Sequence, residues 1–494
     1  MGAEGDIRIT ANTQAGYWTA ASLLMALCAV AVAWFPLFNI ASLPSVNYNE
    51  GWNAYRQWMT VEHQPLYGSA TSLWTTNYPF LSFHIIGLLA GAKGHMVVTG
   101  RIVCFAALVA TAGVSGAIMR GVTDDGAAGL YAGLWLFAAL GAFNGAGRAC
   151  DDPEMLGTAI ACFGIFAYLR GAGRGLWYGV SAIAFAVSLF TKHDLIGFAL
   201  SAGLHLLITR NWRGLAVFMA AGVLASGVLL ALSLQFDGRY FFADLVQPRA
   251  YGWRNLRAET LHYLLHFAVA LVIGLVVLWR CRAVPGRGFF IILLVTTNII
   301  AIGFSGGDGV AANIFYPALI ADLLACVTAL YWLRAGRYFK AALIAVTLSG
   351  AVMAPFQIEN DIAAQARLPG ATAAARQAIA LLAAAKGPAI CEDLALCYEA
   401  GKPMDYDPYY VSDQIRIGRL PESRVLAMLT ARHYGAIQMD GAVTGVPRVE
   451  WRNARFSKAF LRVLAKTYRP VLVTRYDTVF VPRGAAQASA TSLK

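Results

Sequence analysis

Residues 80–91 read FLSFHIIGLLAG, and the topology of everything after them depends on whether this run crosses a membrane. Twelve residues of helix reach about 18 Å, against a hydrocarbon core of about 30 Å. The run is therefore expected to lie along the membrane surface, inside one long outer loop at 41–97. Counting it as a crossing would invert every later loop and put the arginine-rich connections on the outside.

The composition sets that choice in a membrane context. The chain has 494 residues, 58% hydrophobic and 13% charged, with a mean hydropathy of +0.56. Soluble domains carry about a quarter charged residues, so the first 350 positions are read as a polytopic helical membrane domain. Candidate spans fall near 18–40, 98–119, 127–143, 153–170, 175–191, 193–209, 213–235, 260–280, 288–304, 311–333 and 338–355, about eleven in all. The first run is too long for a signal-peptide core and reads as an uncleaved helix. With that helix leaving the cytoplasm, the inner loops hold Arg120; Arg170 and Arg174; Arg210 and Arg213; Arg280, Arg282 and Arg287; and Arg334, Arg337 and Lys340. That is the positive-inside pattern. It accounts for the net charge of +12 without a nucleic-acid partner.

The expected organisation is a membrane domain at 1–356, a soluble α/β domain at 357–482 and a disordered tail at 483–494. Residues 371–385 and 422–433 read as helices, and PAICED, YGAIQM, PVLVT and TVFVP as short strands. Cys391 and Cys397 lie in this polar part and suit a disulfide if it faces an oxidising compartment. The other cysteines lie in or beside apolar runs, where a thiol packs as a small hydrophobe.

Three polar motifs fall on the expected outer face. In SVNYNEGWNAY (45–55), Glu50 sits among Asn47, Tyr48, Asn49, Trp52 and Tyr55. Aromatic residues are common at membrane interfaces, yet a carboxylate held among amides at an apolar boundary is a candidate general base. In RACDDPEML (148–156), Asp152 and Pro153 form a helix start, cap followed by first-turn proline. That leaves Asp151 unexplained, with Arg148 nearby. In FTKHDL (190–195), Lys192 and His193 are candidates for phosphate, or a polar turn with a snorkelling lysine. The stretch TTNYPFLSF (75–83), with Asn77, Tyr78 and a proline, is a candidate lining for a groove that would admit a lipid tail from the side. The loop 235–259 carries Arg239, Arg249, Arg254 and Arg257 on the wrong side for charge bias, which points to an anionic ligand or to lipid head groups. Asp322 lies inside a span and is a functional candidate on that ground alone.

Together, the first-loop acid in NYNEGWNAY, the NYP-aromatic stretch with its interfacial helix, and RACDDPEML resemble the GT-C superfamily of integral-membrane glycosyltransferases. That superfamily includes aminoarabinose and protein mannosyltransferases of the family 39 type. The resemblance implies an inverting transfer of sugar from a polyprenyl-phosphate carrier to a lipid, glycan or protein acceptor. It places the reaction on the periplasmic side of a bacterial inner membrane. It implies Glu50 as base, where many members carry aspartate, assisted by Asp151 and Asp152. Lys192, His193, Arg249, Arg254 and Arg257 would meet the donor phosphate, and Asn49, Tyr55, Asn77, Tyr78 and Arg148 would line the groove. Some relatives hold a divalent cation between such acids; Mg or Mn would here be bound by Glu50, Asp151 and Asp152. The alternative from another class is a polytopic transporter or lipid-linked sugar flippase without catalysis; many transporters show related halves, and this sequence shows no internal repeat.

Overall fold

A computed structural model describes residues 2–69, 71–92, 94–171, 174–443 and 455–484, with side chains from residue 16 onward. Most of it is helix. Among the described residues, eight helices are long and apolar enough to cross a membrane: Gly16–Asn39, Met96–Thr123, Gly126–Phe143, Trp212–Phe236, Trp253–Arg280, Arg287–Phe304, Ala312–Leu333 and Phe339–Ala384. The remaining three expected spans are also helical, at Pro153–Arg170, Leu176–Thr191 and Ile196–Ile208. The last two have only 16 and 13 residues, so length and composition support eight of the eleven expected crossings.

The packing centre is Tyr316–Leu333, whose central residues are almost all inaccessible. Its alanines admit close neighbours: Gly274 of Trp253–Arg280 lies where an added Cβ would be 3.1 Å from Ala325 Cβ. Small residues allow this backbone approach where no hydrophobic gradient drives helices together. Asp322 on the same helix accepts hydrogen bonds from Tyr263 and from Asn298 Nδ2, tying three helices together. At the other extreme, Trp212–Phe236 is peripheral, exposing Val223, Leu224 and Phe236.

The loop at 41–97 holds two helices, Asn49–Val61 and Leu81–Ala90. The second is the short run expected along the membrane, and His84 on it meets Asp237 at 2.7 Å, at the end of Trp212–Phe236.

Beyond residue 356 the helix Ala354–Ala384 runs without a break into a four-stranded sheet domain. The strands are β1 (Ala389–Cys391), β2 (Ala436–Asp440), β3 (Tyr468–Val473) and β4 (Asp477–Pro482), in the order β1-β2-β4-β3. β1 and β2 are parallel, and the other two pairs are antiparallel. Pro470 lies in edge strand β3 beside a register shift, where a missing donor is tolerated. Cys391 and Cys397 form a disulfide. Of the expected disordered tail, residues 485–494 lie outside the described residues. One apolar cluster joins this domain to the first loop, with Trp52, Tyr55, Met59, Phe80 and Phe83 packed in the same core as Leu382, Leu394 and Leu396.

Candidate active site

The helix Asn49–Val61 begins with Glu50 in its first turn, where a carboxylate favours the free amides of a helix start. Glu50 is fully buried. Arg101 Nε donates to its Oε1 at 2.7 Å and Nη2 to its Oε2 at 2.6 Å. The amides of Val46 and Asp151 add bonds of 2.8 and 3.2 Å. Arg101 also donates to the carbonyls of Ile40, Ser42 and Pro44. The pair therefore folds the segment after the first membrane helix around one buried cation. Arg101 was missed in the sequence, although a lone arginine four positions into an apolar span obeys the same rule that singled out Asp322.

Asp152 caps Pro153–Arg170, accepting from the Glu154 amide at 2.9 Å, and its second oxygen accepts from Asn49 Nδ2 at 2.9 Å. Asp151 is buried; Gln57 donates to its Oδ1 at 2.6 Å and Asn53 to its carbonyl at 2.5 Å. Burial holds the Asp151 carboxyl well above the usual carboxylate range, only partly countered by the Gln57 bond and reinforced by Glu50 and Asp152. The two acidic motifs thus meet, as their positions in the sequence led one to expect.

A cavity of about 640 Å³ opens beside this cluster, between the membrane helices and the sheet domain. Asn49, Asn77, Tyr78 and Arg249 line it, with Trp52, Gln247, Glu259, Asp308, Asp407, Tyr409 and Arg416. Lys192 lies behind the wall, its Nζ 3.6 Å from the Tyr78 ring centroid and 3.4 Å from Glu154 Oε2. His193 follows Lys192 in a short 3₁₀ turn and does not line the cavity. Arg254 and Arg257 are exposed on the first turns of Trp253–Arg280, also off the cavity.

Arg148 and Tyr55 are structural. Arg148 makes a buried two-pronged pair with Asp361, at 2.7 and 2.6 Å, beside a second cavity of about 430 Å³. The Tyr55 hydroxyl donates to the Lys402 carbonyl at 2.8 Å, fastening the first-loop helix to the sheet domain. Glu50, Asp151 and Asp152 stand behind the 640 Å³ cavity rather than in its lining.

Arg249 is the cavity cation with no hydrogen bond or ion pair among the described residues. Arg416 is already bound to Asp308 at 2.6 Å, and Arg455 stacks 4.2 Å from the Tyr48 ring and reaches Asp440 at 3.5 Å. The sheet-domain wall of the cavity carried no readable signal, because it comes from positions more than 300 residues beyond the first loop.

A divalent cation does not fit the expected acids. Such a cation needs several free oxygen ligands, and both Glu50 oxygens are taken by the Arg101 guanidinium. Among the described residues no group of three or more His, Cys, Asp or Glu side chains is arranged for a metal.

These features define a fold class: a multi-pass helical membrane domain whose connection at 41–97 carries two short helices, followed by an α/β domain. No protein-family model and no curated protein matches the chain. Among solved structures it is similar to ArnT from Cupriavidus metallidurans bound to undecaprenyl phosphate. The TM-score is 0.59 at 14% identity, over 94% of this chain and 98% of that one. The apo form of the same protein gives a TM-score of 0.56 at 15% identity, over 97% and 98%. At this identity the likeness is one of fold.

Proposed function

We propose that this protein is an inverting glycosyltransferase of the bacterial inner membrane. It moves a sugar from a polyprenyl-phosphate carrier to an acceptor hydroxyl on the periplasmic side. The observation that carries the reading is Arg249, a cation with no hydrogen bond or ion pair among the described residues, in a large cavity beside a carboxylate cluster. The cavity belongs to a fold whose solved neighbour was captured with undecaprenyl phosphate.

In this reading Arg249 meets the donor phosphate. Lys192 stands one aromatic ring behind it, at Tyr78. As the acceptor oxygen bonds to the anomeric carbon, the bond from that carbon to the phosphate oxygen breaks. The electron pair leaves with the phosphate, where Arg249 counters the growing negative charge. The acceptor proton goes to a carboxylate. Glu50 is the base that the sequence suggested, but four hydrogen bonds occupy its oxygens. We assign it to holding the loop, and assign the base to Asp152: its Oδ2 carries a single bond, from Asn49 of the cavity lining, and takes the proton once the acceptor hydroxyl displaces that amide.

The test is sugar transfer by purified protein from a panel of polyprenyl-phosphate sugars, comparing wild type with Asp152→Asn and Glu50→Gln. Asparagine still caps a helix, so Asp152→Asn removes the base and keeps the fold. Loss of about 10²-fold or more in kcat supports Asp152. Near-normal transfer by that variant, with loss in a folded Glu50→Gln, returns the base to Glu50. Donor binding by wild type without turnover on any acceptor overturns the transferase reading in favour of a carrier.

A further inference from the structure

Resting on that function, we infer that Gln247 and Tyr409 form the subsite for the hydroxyl-rich sugar of the donor, next to the phosphate site at Arg249. The Tyr409 hydroxyl and one amide atom of Gln247 are buried in the cavity wall with no hydrogen-bond partner. The other amide atom of Gln247 bonds to the Tyr410 hydroxyl at 2.9 Å, so turning the amide over still leaves one polar atom free. Native proteins rarely strand buried polar groups, and a ligand is one way to satisfy them.

Both groups are held in place. The loop 247–250 is clamped at three successive points besides that bond. The Pro248 carbonyl accepts from Gln414 at 3.3 Å, the Ala250 amide donates to Asp413 at 3.4 Å, and the Ala250 carbonyl accepts from Asp308 at 2.8 Å. The Tyr409 hydroxyl rests on Gly309, where a Cβ would lie 2.1 Å from it and where φ is +72°. Any side chain there would be strained and would also displace the hydroxyl.

The surroundings suit a sugar. Aromatic faces are supplied by Tyr48, 6.1 Å from Tyr409 between centroids, and by Trp52, 5.1 Å from Tyr78. Asn77 and Asn255 add amides to the same cavity. The lining is rich in amides, carboxylates and hydroxyls, the groups that hydrogen-bond sugar hydroxyls, and Arg249 is two residues along the clamped loop from Gln247.

The experiment compares binding of two probes to full-length protein in lipid nanodiscs. One is undecaprenyl phosphate; the other is the same lipid phosphate bearing glucose, galactose, mannose or arabinose. Wild type is expected to bind at least one sugar-bearing form more tightly than the bare phosphate. Gln247→Ala and Tyr409→Phe should remove that preference, by about tenfold, and leave the bare-phosphate affinity unchanged. Arg249→Gln should weaken both probes together and so serves as the folded contrast. Equal losses for both probes in Gln247→Ala and Tyr409→Phe, or no loss in either, overturn the subsite. Wild type that binds neither probe overturns the transferase reading itself.

Discussion

Arg101 grips Glu50 at both oxygens, 2.7 and 2.6 Å away, and neither side chain reaches water. Removing one member of a buried pair costs about 3–5 kcal/mol, because the other charge is left uncompensated. Arg101→Ala should therefore lower unfolding stability in detergent by that order. Glu50→Gln should cost less, since Arg101 keeps its bonds to the carbonyls of Ile40, Ser42 and Pro44. Equal losses would mean that those carbonyls contribute nothing.

The same guanidinium bears on metal dependence. With a fixed positive charge already on Glu50, added Mg or Mn should not raise the transfer rate, and chelator should not lower it. Assays of dialysed protein with and without each ion check this. A rate that falls in chelator and returns with one cation would show that Arg101 releases Glu50 during turnover.

The first-loop helix is seated on the sheet domain backbone to backbone. A Cβ on Gly51 would stand 2.0 Å from the Ala395 amide nitrogen, in the turn closed by Cys391 and Cys397. Gly51→Ala must push these elements apart and should cost about 1–3 kcal/mol. Replacing both cysteines by serine should cost about 2 kcal/mol for so short a loop. Thermal unfolding reads both values. Combining the changes should give a loss short of the sum, because both loosen one contact.

Asp393 donates a pH dependence to that seat. Burial, with Asp440 nearby, raises its carboxyl to about 7, and Ser45 Oγ of the first loop bonds to it at 2.9 Å. An unfolded aspartate titrates near about 4, so between these values the folded state holds a proton that the unfolded chain has released. Stability from this group is full below pH about 4, falls as pH rises, and levels off above about 7. Asn at 393 keeps the neutral form and the cap on Leu394–Glu399. It should flatten the slope of melting temperature over that window. An unchanged slope would assign the dependence to Glu392, which is also raised to about 7.

Eight of the eleven crossings, the helical state of the short run at 80–91 and the strands were legible because each depends on local apolar spacing and length. The meeting of Glu50 with Asp151 and Asp152 was legible in outline, since all three fall on one expected face. What each charge does there was not. Arg148 read as a groove residue and is spent on Asp361, and Arg254 and Arg257 read as phosphate ligands and are exposed. Only Arg249 of the wrong-side arginines lines the cavity. A charge's role depends on which distant partner it finds, and Asp361, Asp407 and Tyr409 carry no local mark of pairing or facing.

The helix Ala354–Ala384 starts among packed membrane helices and ends beneath the sheet with no linker between. It acts as a lever arm: any tilt of the last crossing swings the outer wall of the cavity with it. Pro369 removes one rung of backbone bonding partway along and is where such an arm bends. Transplanting the sheet domain onto another membrane core would thus demand the helix in phase, since one inserted residue turns its cargo by about 100°.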